Sequence, residues 1–304
     1  MATTSDARTI KTADTAFTII ELVGERNGIT LTEISNQLPQ SKSTVHHYLT
    51  TLHQRGYLIR QDDQYFLSLR FLHHGMKARN RRELSNSLNP TLKDLAEDTG
   101  EIAWVAVAER GKSYILELES GEKAVHTGEH IGLRQDLHCH AAGKCILAHM
   151  PDEQVDEILS EHGLSRHTDR TITDRDDLKA ELRTIREEGV AYMHGETIKG
   201  LNSVGAPIIS QETVLGAISV AGPAKRVSEE KLRDTLADQV LAAANAIELE
   251  VTYVGAPEYR IQVRAPDYKT AESQLEESAA RATAYVGDHG GTGNFHRERH
   301  EETE

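Results

Sequence analysis

TLTEISNQLPQSKSTVHHYLTTLHQRGY, residues Thr30 to Tyr57, holds two helix starts in close succession. Thr30-Leu31-Thr32-Glu33 fits a capping box, with Thr30 as N-cap and Glu33 reaching back from the third helical position. Ile34 and Leu38 give this short helix a buried side, and Pro39-Gln40 breaks it. Ser41 can cap the next helix, because its hydroxyl accepts from the free N–H of Ser43 or Thr44. On that second helix Val45, Tyr48, Leu49 and Leu52 fall at i, i+3, i+4 and i+7, one apolar stripe. The remaining positions include Lys42, Ser43, Thr44, His46, His47, Thr50 and Thr51; none is acidic and nearly all donate hydrogen bonds. A helix lying in the DNA major groove needs this division, with one side docked on a core and the other offering donors to phosphates and base edges. The helix N-terminus adds an anion site of its own, since its orphan N–H groups and dipole favour phosphate. An amphipathic helix in an ordinary bundle would show the same two faces.

The flanks decide between these readings. Ala16, Phe17, Ile20 and Val23 make a preceding helix that stops at Asn27-Gly28. After it, Gly56 to Arg60 reads as a strand, Gln61 to Gln64 as a turn, and Tyr65 to Leu69 as the returning strand. Three helices and a two-stranded hairpin form the winged helix-turn-helix pattern, here over about 14–75. The candidate DNA contacts are Ser41, Lys42, Ser43, Thr44, His46, His47 and Thr50, with Arg60 of the hairpin placed to touch the backbone.

A net charge of −14 over 304 residues looks wrong for a DNA binder until its distribution is read. Residues 1–75 carry seven Lys/Arg and seven Asp/Glu, and residues 76–100 five and four, so the remainder carries −15. The DNA-facing part is spared the acidity. Lys is scarce beside Arg, 12 against 22, which together with the acidity points to a salt-adapted, haloarchaeal chain. At ~1 M salt the Debye length is about 3 Å, so groove contacts and shape would carry binding more than phosphate attraction. No apolar window is long enough to span a membrane, and the N-terminus lacks a secretory h-region. The two cysteines, Cys139 and Cys145, suit a reducing cytoplasm.

Beyond the hairpin, Met76 to Leu88 reads as a linker helix. Its Lys77, Arg79, Arg81 and Arg82 form either a solvated face or a set of phosphate contacts. Asn89-Pro90 starts another helix that Gly100 ends, so linker helices occupy 76–100. From 101 the period changes. Ile102 to Ala108 and Ser113 to Leu118 form a hairpin, and residues 121–137 are mixed. Ala141 to Met150 and Asp152 to His162 are helices. Asp174 caps a third with the stripe Leu178, Leu182, Ile185. Val190 to Tyr192 is a strand, and Asn202 to Ile209 pairs with Val214 to Val220. Ser228 caps a long helix to about Val251. Paired strands with helices on one side indicate an α+β domain over 101–251, followed by an extension over 252–304.

Three ordered segments resemble the IclR-type transcriptional regulators. They are the winged helix with Ser41-Lys42-Ser43-Thr44-Val45-His46; the run from His138 to Ala148, HCHAAGKCILA; and Glu188-Gly189, Gly200, Val204 to Ile208 and Ala217 to Pro223. The resemblance covers about 14–250. It implies an effector-binding domain of GAF/PAS-like fold on a DNA-binding homodimer or tetramer. A small metabolite there, often an organic or sugar acid, would change affinity for a double-stranded DNA operator. Carried over by motif position, the ligand-contacting sites are Ala141, Ala142, Leu201, Ser203 and Ser219, with Leu137 and His138 nearby. Independently, the small residues Ala141-Ala142-Gly143 opening a helix would let a carboxylate approach bare N–H groups. One departure is Met193-His194-Gly195-Glu196 after the strand, where many members have an acidic run; the acidic pocket residue is displaced or lost. The resemblance implies no catalytic residue, cofactor or metal.

The same stretch supports a rival reading. His126, His130, His138, Cys139, His140, Cys145 and His149 offer imidazole and thiolate to a metal-sensing or catalytic GAF-type domain, although their spacing is not a standard zinc knuckle. In the extension, Tyr259 to Ala265 alternates like a strand, Tyr268 to Tyr285 is helix-like, and Gly290 to Phe295 starts a further strand. Residues 258–297 resemble the last part of the archaeal translation initiation factor two alpha subunit. His296 to Glu304 has a disordered composition.

Overall fold

In the computed structural model of the chain, residues 9–26, 28–82, 84, 89–210, 213–247, 249–255, 258–263, 273–276, 278–280 and 283 are described. They divide into two compact units, up to Arg82 and from Glu83. The first is built around the capping box. Thr30 Oγ1 accepts from the Glu33 N–H at 3.3 Å while the Glu33 carboxylate accepts from the Thr30 N–H at 2.8 Å, which starts helix α2 (Leu31–Gln37). Ser41 accepts from the Thr44 N–H and starts α3 (Lys42–Gln54). The hairpin is β2 (Leu58–Gln61) and β3 (Gln64–Leu67), closed by Asp62-Asp63 with Asp62 at φ +55°. A two-residue strand, β1 (Ile29–Thr30), joins β3 on its other side.

Two expectations for this unit need correction. Helix α1 (Lys11–Gly24) buries Thr15, Ile19 and Val23, a strict i, i+4, i+8 row, and leaves Phe17 64% exposed. Of the stripe read from Ala16, Phe17, Ile20 and Val23, Val23 is buried and Ala16 and Ile20 half-buried, while Phe17 faces outward and Thr15 and Ile19 take the centre of the buried row. The linker helix, α4 (Arg70–Asn80), starts at Arg70 rather than Met76, because Phe71, His74 and Arg70 all pack on Tyr57.

The second unit is a six-stranded antiparallel sheet in the order β6-β5-β4-β9-β8-β7. The strands are β4 (Ile102–Glu109), β5 (Lys112–Ser120), β6 (Arg134–Asp136), β7 (Ala191–His194), β8 (Leu201–Ser210) and β9 (Thr213–Pro223). Helices cover both faces, not one. Ala103, Val105 and Val107 of β4 point to α5 (Asn89–Thr99) and to the long helix 229–246, which contains a π turn at Leu232–Leu236. Ile102, Trp104 and Ala106 point the other way, to α6 (Ala141–Ala148), α7 (Asp152–His162) and α8 (Arg175–Glu188). Ile102 to Val107 are all buried, so period-2 alternation has no polar member to reveal it.

The long helix ends at Ala246 rather than Val251. The β-branched and aromatic run Val251-Thr252-Tyr253-Val254 prefers a strand, and Leu249–Gly255 (β10) pairs antiparallel with Glu258–Val263 (β11). The described part of the expected helix 268–285 is helical. The strand expected at 290–295 and the tail from His296 lie outside the described residues.

Candidate nucleic-acid interface and effector site

Helix α3 is held from within and open from without. Val45, Leu49 and Leu52 lie in a core shared with Ile19, Ile34 and Leu58, each contributing about 1.5–3 kcal/mol by burial. Ser41, Lys42, Ser43, Thr44, His46 and His47 are exposed. Several of them already have local tasks. Ser41 is occupied as the cap. Lys42 Nζ donates to Thr32 Oγ1 at 2.9 Å, tying α3 to α2. Thr50, half-buried, donates to the His46 carbonyl at 2.8 Å. Arg60 in the hairpin donates from Nε to the Asp62 carbonyl, with its guanidinium 5.7 Å from the Tyr65 ring centre. Ser43, His46 and His47 are therefore the least committed donors of the predicted set.

The predicted effector residues gather on the α6 side of the sheet. Ser203 and Ser219 are fully buried; Gly205, two residues on from Ser203, is the cross-strand partner of Ser219. A Cβ on Gly205 would come within 3.0 Å of Ala141 C and Ala142 N, so the first turn of α6 rests directly on β8. The small residues there serve helix–strand contact. The cap is internal too: His140 Nδ1 accepts from the Gly143 N–H at 3.1 Å. With Nδ1 accepting, the neutral ring carries its proton on Nε2, and burial holds its pKa down at about 4. Leu137, His138 and Leu201 are also buried, His138 bonded through Nε2 to the Ser165 carbonyl. Five buried polar atoms on this side have no hydrogen-bond partner among the described residues: Trp104 Nε1, Ser113 Oγ, His140 Nε2, Glu196 Oε2 and Ser203 Oγ.

Glu196 answers the question left by the displaced acidic run. Its Oε1 accepts from Lys144 Nζ at 2.6 Å, and Lys144, fully buried, also bonds Glu181 and the Tyr192 carbonyl. Burial raises the Glu196 pKa, against the pull of Lys144. An acidic group is thus present on this side of the domain, already paired with Lys144.

An open cleft of about 420 Å³ lies next to these residues, floored by Cys139 and Leu133 and rimmed by Lys112, Arg134, Asp136 and His167. Asp136 is bonded by Lys112 at 2.5 Å and by His167 Nε2 at 2.9 Å. Burial opposes its ionisation, but these two bonds outweigh burial and leave its pKa below the usual carboxylate value. The rival metal or nucleophile reading finds no matching geometry. Cys139 donates to the Asp136 carbonyl, and His149 bonds the carbonyl of Cys145. Burial pushes both thiols up to about 12, away from the thiolate that metal binding or attack requires. Among the described residues no three His, Cys, Asp or Glu side chains converge as metal ligands, and no helix is long and apolar enough to cross a membrane.

Two family models match the chain. The IclR helix-turn-helix domain covers residues 12–63, and the bacterial transcriptional regulator IclR C-terminal domain covers residues 76–249. The chain belongs to the IclR family. It is a DNA-binding transcriptional regulator with a C-terminal effector domain, and its mixed α and β architecture matches IclR structures. It is 33% identical over 256 residues to a probable HTH-type transcriptional regulator ArcR from Halobacterium salinarum, covering 82% of this chain and 97% of that one. This haloarchaeal likeness accords with the acidic composition. The crystal structure of the Thermotoga maritima IclR superposes with a TM-score of 0.64 at 26% identity, covering 79% of this chain and 98% of that one. A third likeness is of another kind. Over 58 residues, 19% of this chain and 22% of the relative, it is 74% identical to translation initiation factor 2 subunit alpha from Haloarcula marismortui.

Sequence reasoning missed the cleft rim and the Lys144–Glu196 pair. The pair had a signal: Lys144 is the one charged residue in an otherwise apolar helix and needs a buried anion. Lys112, Arg134, Asp136 and His167 come from three separate segments, and nothing in their spacing brings them together.

Proposed function

We propose that this IclR-family regulator binds a palindromic operator as a homodimer or tetramer through Ser43, Thr44, His46 and His47. Ser41, Lys42 and Thr50 set the pose of α3, and Arg60 touches the DNA backbone. The observation that carries this reading is the division of α3 into a buried apolar side and an exposed acid-free side rich in donors. An oligomer is supported by the exposed apolar row of Leu69, at the cap of α4, with Leu72 and Met76 along it, a helix with no buried residue of its own. A two-fold axis there would match a palindrome. A small carboxylate bound in the C-terminal domain, near Leu137, His138, Ala141, Ala142, Leu201, Ser203 and Ser219, modulates operator affinity. Unpartnered polar atoms on that side, Trp104 Nε1, His140 Nε2 and Ser203 Oγ among them, support a polar ligand, since such groups otherwise cost about 1–3 kcal/mol each.

The test is genome-wide mapping of bound DNA, followed by gel shifts on the recovered sites with and without sugar acids and aromatic acids. Sequence-specific retention that at least one acid alters is expected. Equal retention of all DNA would reject the operator reading, and indifference to every acid would reject the carboxylate effector.

A further inference from the structure

Building on the effector-domain reading, we propose that the cleft above Cys139 takes a small zwitterion, a molecule bearing one carboxylate and one ammonium or guanidinium group, as an amino acid does. The charges around the cleft sort into two classes. Lys112, Asp136 and His167 satisfy one another: Asp136 Oδ1 takes Lys112 and Oδ2 takes His167. Two groups are left with uncompensated charge. The Glu129 carboxylate is held by the Thr127 N–H at 2.9 Å and by Thr127 Oγ1 at 2.5 Å, both neutral donors that orient it and leave its charge intact. Arg134, at the start of β6, makes no ion pair among the described residues. The segment between them is fixed. Gly132 N–H donates to the Ile115 carbonyl at 2.8 Å and Leu133 N–H to the His130 carbonyl at 3.0 Å. Among the described residues, the cleft therefore presents one unpaired cation and one unpaired anion on a folded-back loop, with Leu133 and Ile198 as apolar lining.

A ligand of a single sign cannot suit both. A plain carboxylate would pair with Arg134 and meet the like charge of Glu129; a plain amine would do the reverse. A zwitterion satisfies both, and its remaining part rests on the apolar lining. The volume lies within the roughly 300–1,000 Å³ usual for small-molecule sites. The sequence-predicted residues Leu137 and His138 directly follow Asp136 at its edge.

The experiment is isothermal titration of the full chain with the common amino acids, one at a time. Each binder is then compared with its deaminated acid and its decarboxylated amine. The zwitterion should bind at least about tenfold tighter than either analogue, the loss expected from one charge-assisted hydrogen bond. Glu129→Gln should let the acid catch up, Arg134→Gln should let the amine catch up, and Arg134→Lys should keep the preference. Arg134 is exposed and Glu129 half-buried, and an unchanged melting temperature without ligand verifies the fold of each variant. An acid that binds as well as its amino acid, variants that leave the preference intact, or no binding by any amino acid would each overturn the proposal. Gel shift without ligand is run in parallel. Operator retention with no zwitterion binding sinks only this inference, while zwitterion binding with no operator retention sinks only the DNA reading.

Discussion

Helices α3 and α6 start in the same way and end in opposite surroundings. Each is capped by the side chain of the residue before it, Ser41 for α3 and His140 for α6, accepting from the N–H three positions on. In α3 three residues are buried and the first turn faces solvent; in α6 all eight residues are buried and the first turn rests on β8. A capped N-terminus is thus a potential anion site in both, but only what covers it decides whether an anion can arrive. The residues that open α3 are polar and replaceable, whereas those that open α6 are small because backbone lies against them.

The contrast can be broken by substitutions made in pairs. The largest effect is expected at the buried cation. Lys144→Met leaves Glu196 buried without its partner and should cost about 3–5 kcal/mol in urea unfolding. Lys42→Met on α3 should change stability by less than about 0.5 kcal/mol. If the two costs are alike, the inside–outside distinction fails.

Next comes pH. The His140 pKa falls from the ordinary 6.5 to about 4, a difference worth roughly 3 kcal/mol. Between those values the unfolded chain holds more protons than the folded one, so stability must fall as pH drops from 6.5 towards 4. His140→Asn keeps a capping acceptor and cannot titrate, so denaturant midpoints of the variant should lack this part of the acid slope. An identical slope in both proteins would remove His140 from the account.

A smaller effect is expected at Gly143. Its Cβ would lie 2.2 Å from the Leu137 carbonyl oxygen, so Gly143→Ala should destabilise by about 1–3 kcal/mol despite the ~1 kcal/mol that Ala usually gains over Gly in a helix. On α3, Ser41→Ala should cost about 1 kcal/mol through its lost cap. Smallest in stability and most specific in function is His47→Ala. It should leave the melting curve unchanged and weaken operator binding more than non-specific binding, as read by competition gel shift. Equal losses on both DNAs would place His47 among backbone contacts.

The first unit was almost fully legible, because its signals are local. A capping box, a Pro break and an i, i+3, i+4, i+7 row each act within a few residues, and Thr30, Ser41, Val45 and Leu49 lie where those rules put them. Phe17 shows the limit, since a large apolar residue need not be inside and a small Thr15 can be. In the second unit the elements were readable but their sides were not. A strand buried on both faces, such as Ile102–Val107, carries no alternation to say that helices lie on each. The candidate ligand residues from motif position do share one side of the sheet. The cleft beside them depends on Lys112, Arg134, Asp136 and His167, which meet only through the pairing of β5 with β6 and a loop bond to Asp136.

Strands β10 and β11 pair with each other and, among the described residues, with no strand of the six-stranded sheet. Its six strands pair with one another without them. Removing these two strands would therefore break no backbone hydrogen bond of that sheet, so the pair can change without disturbing its register.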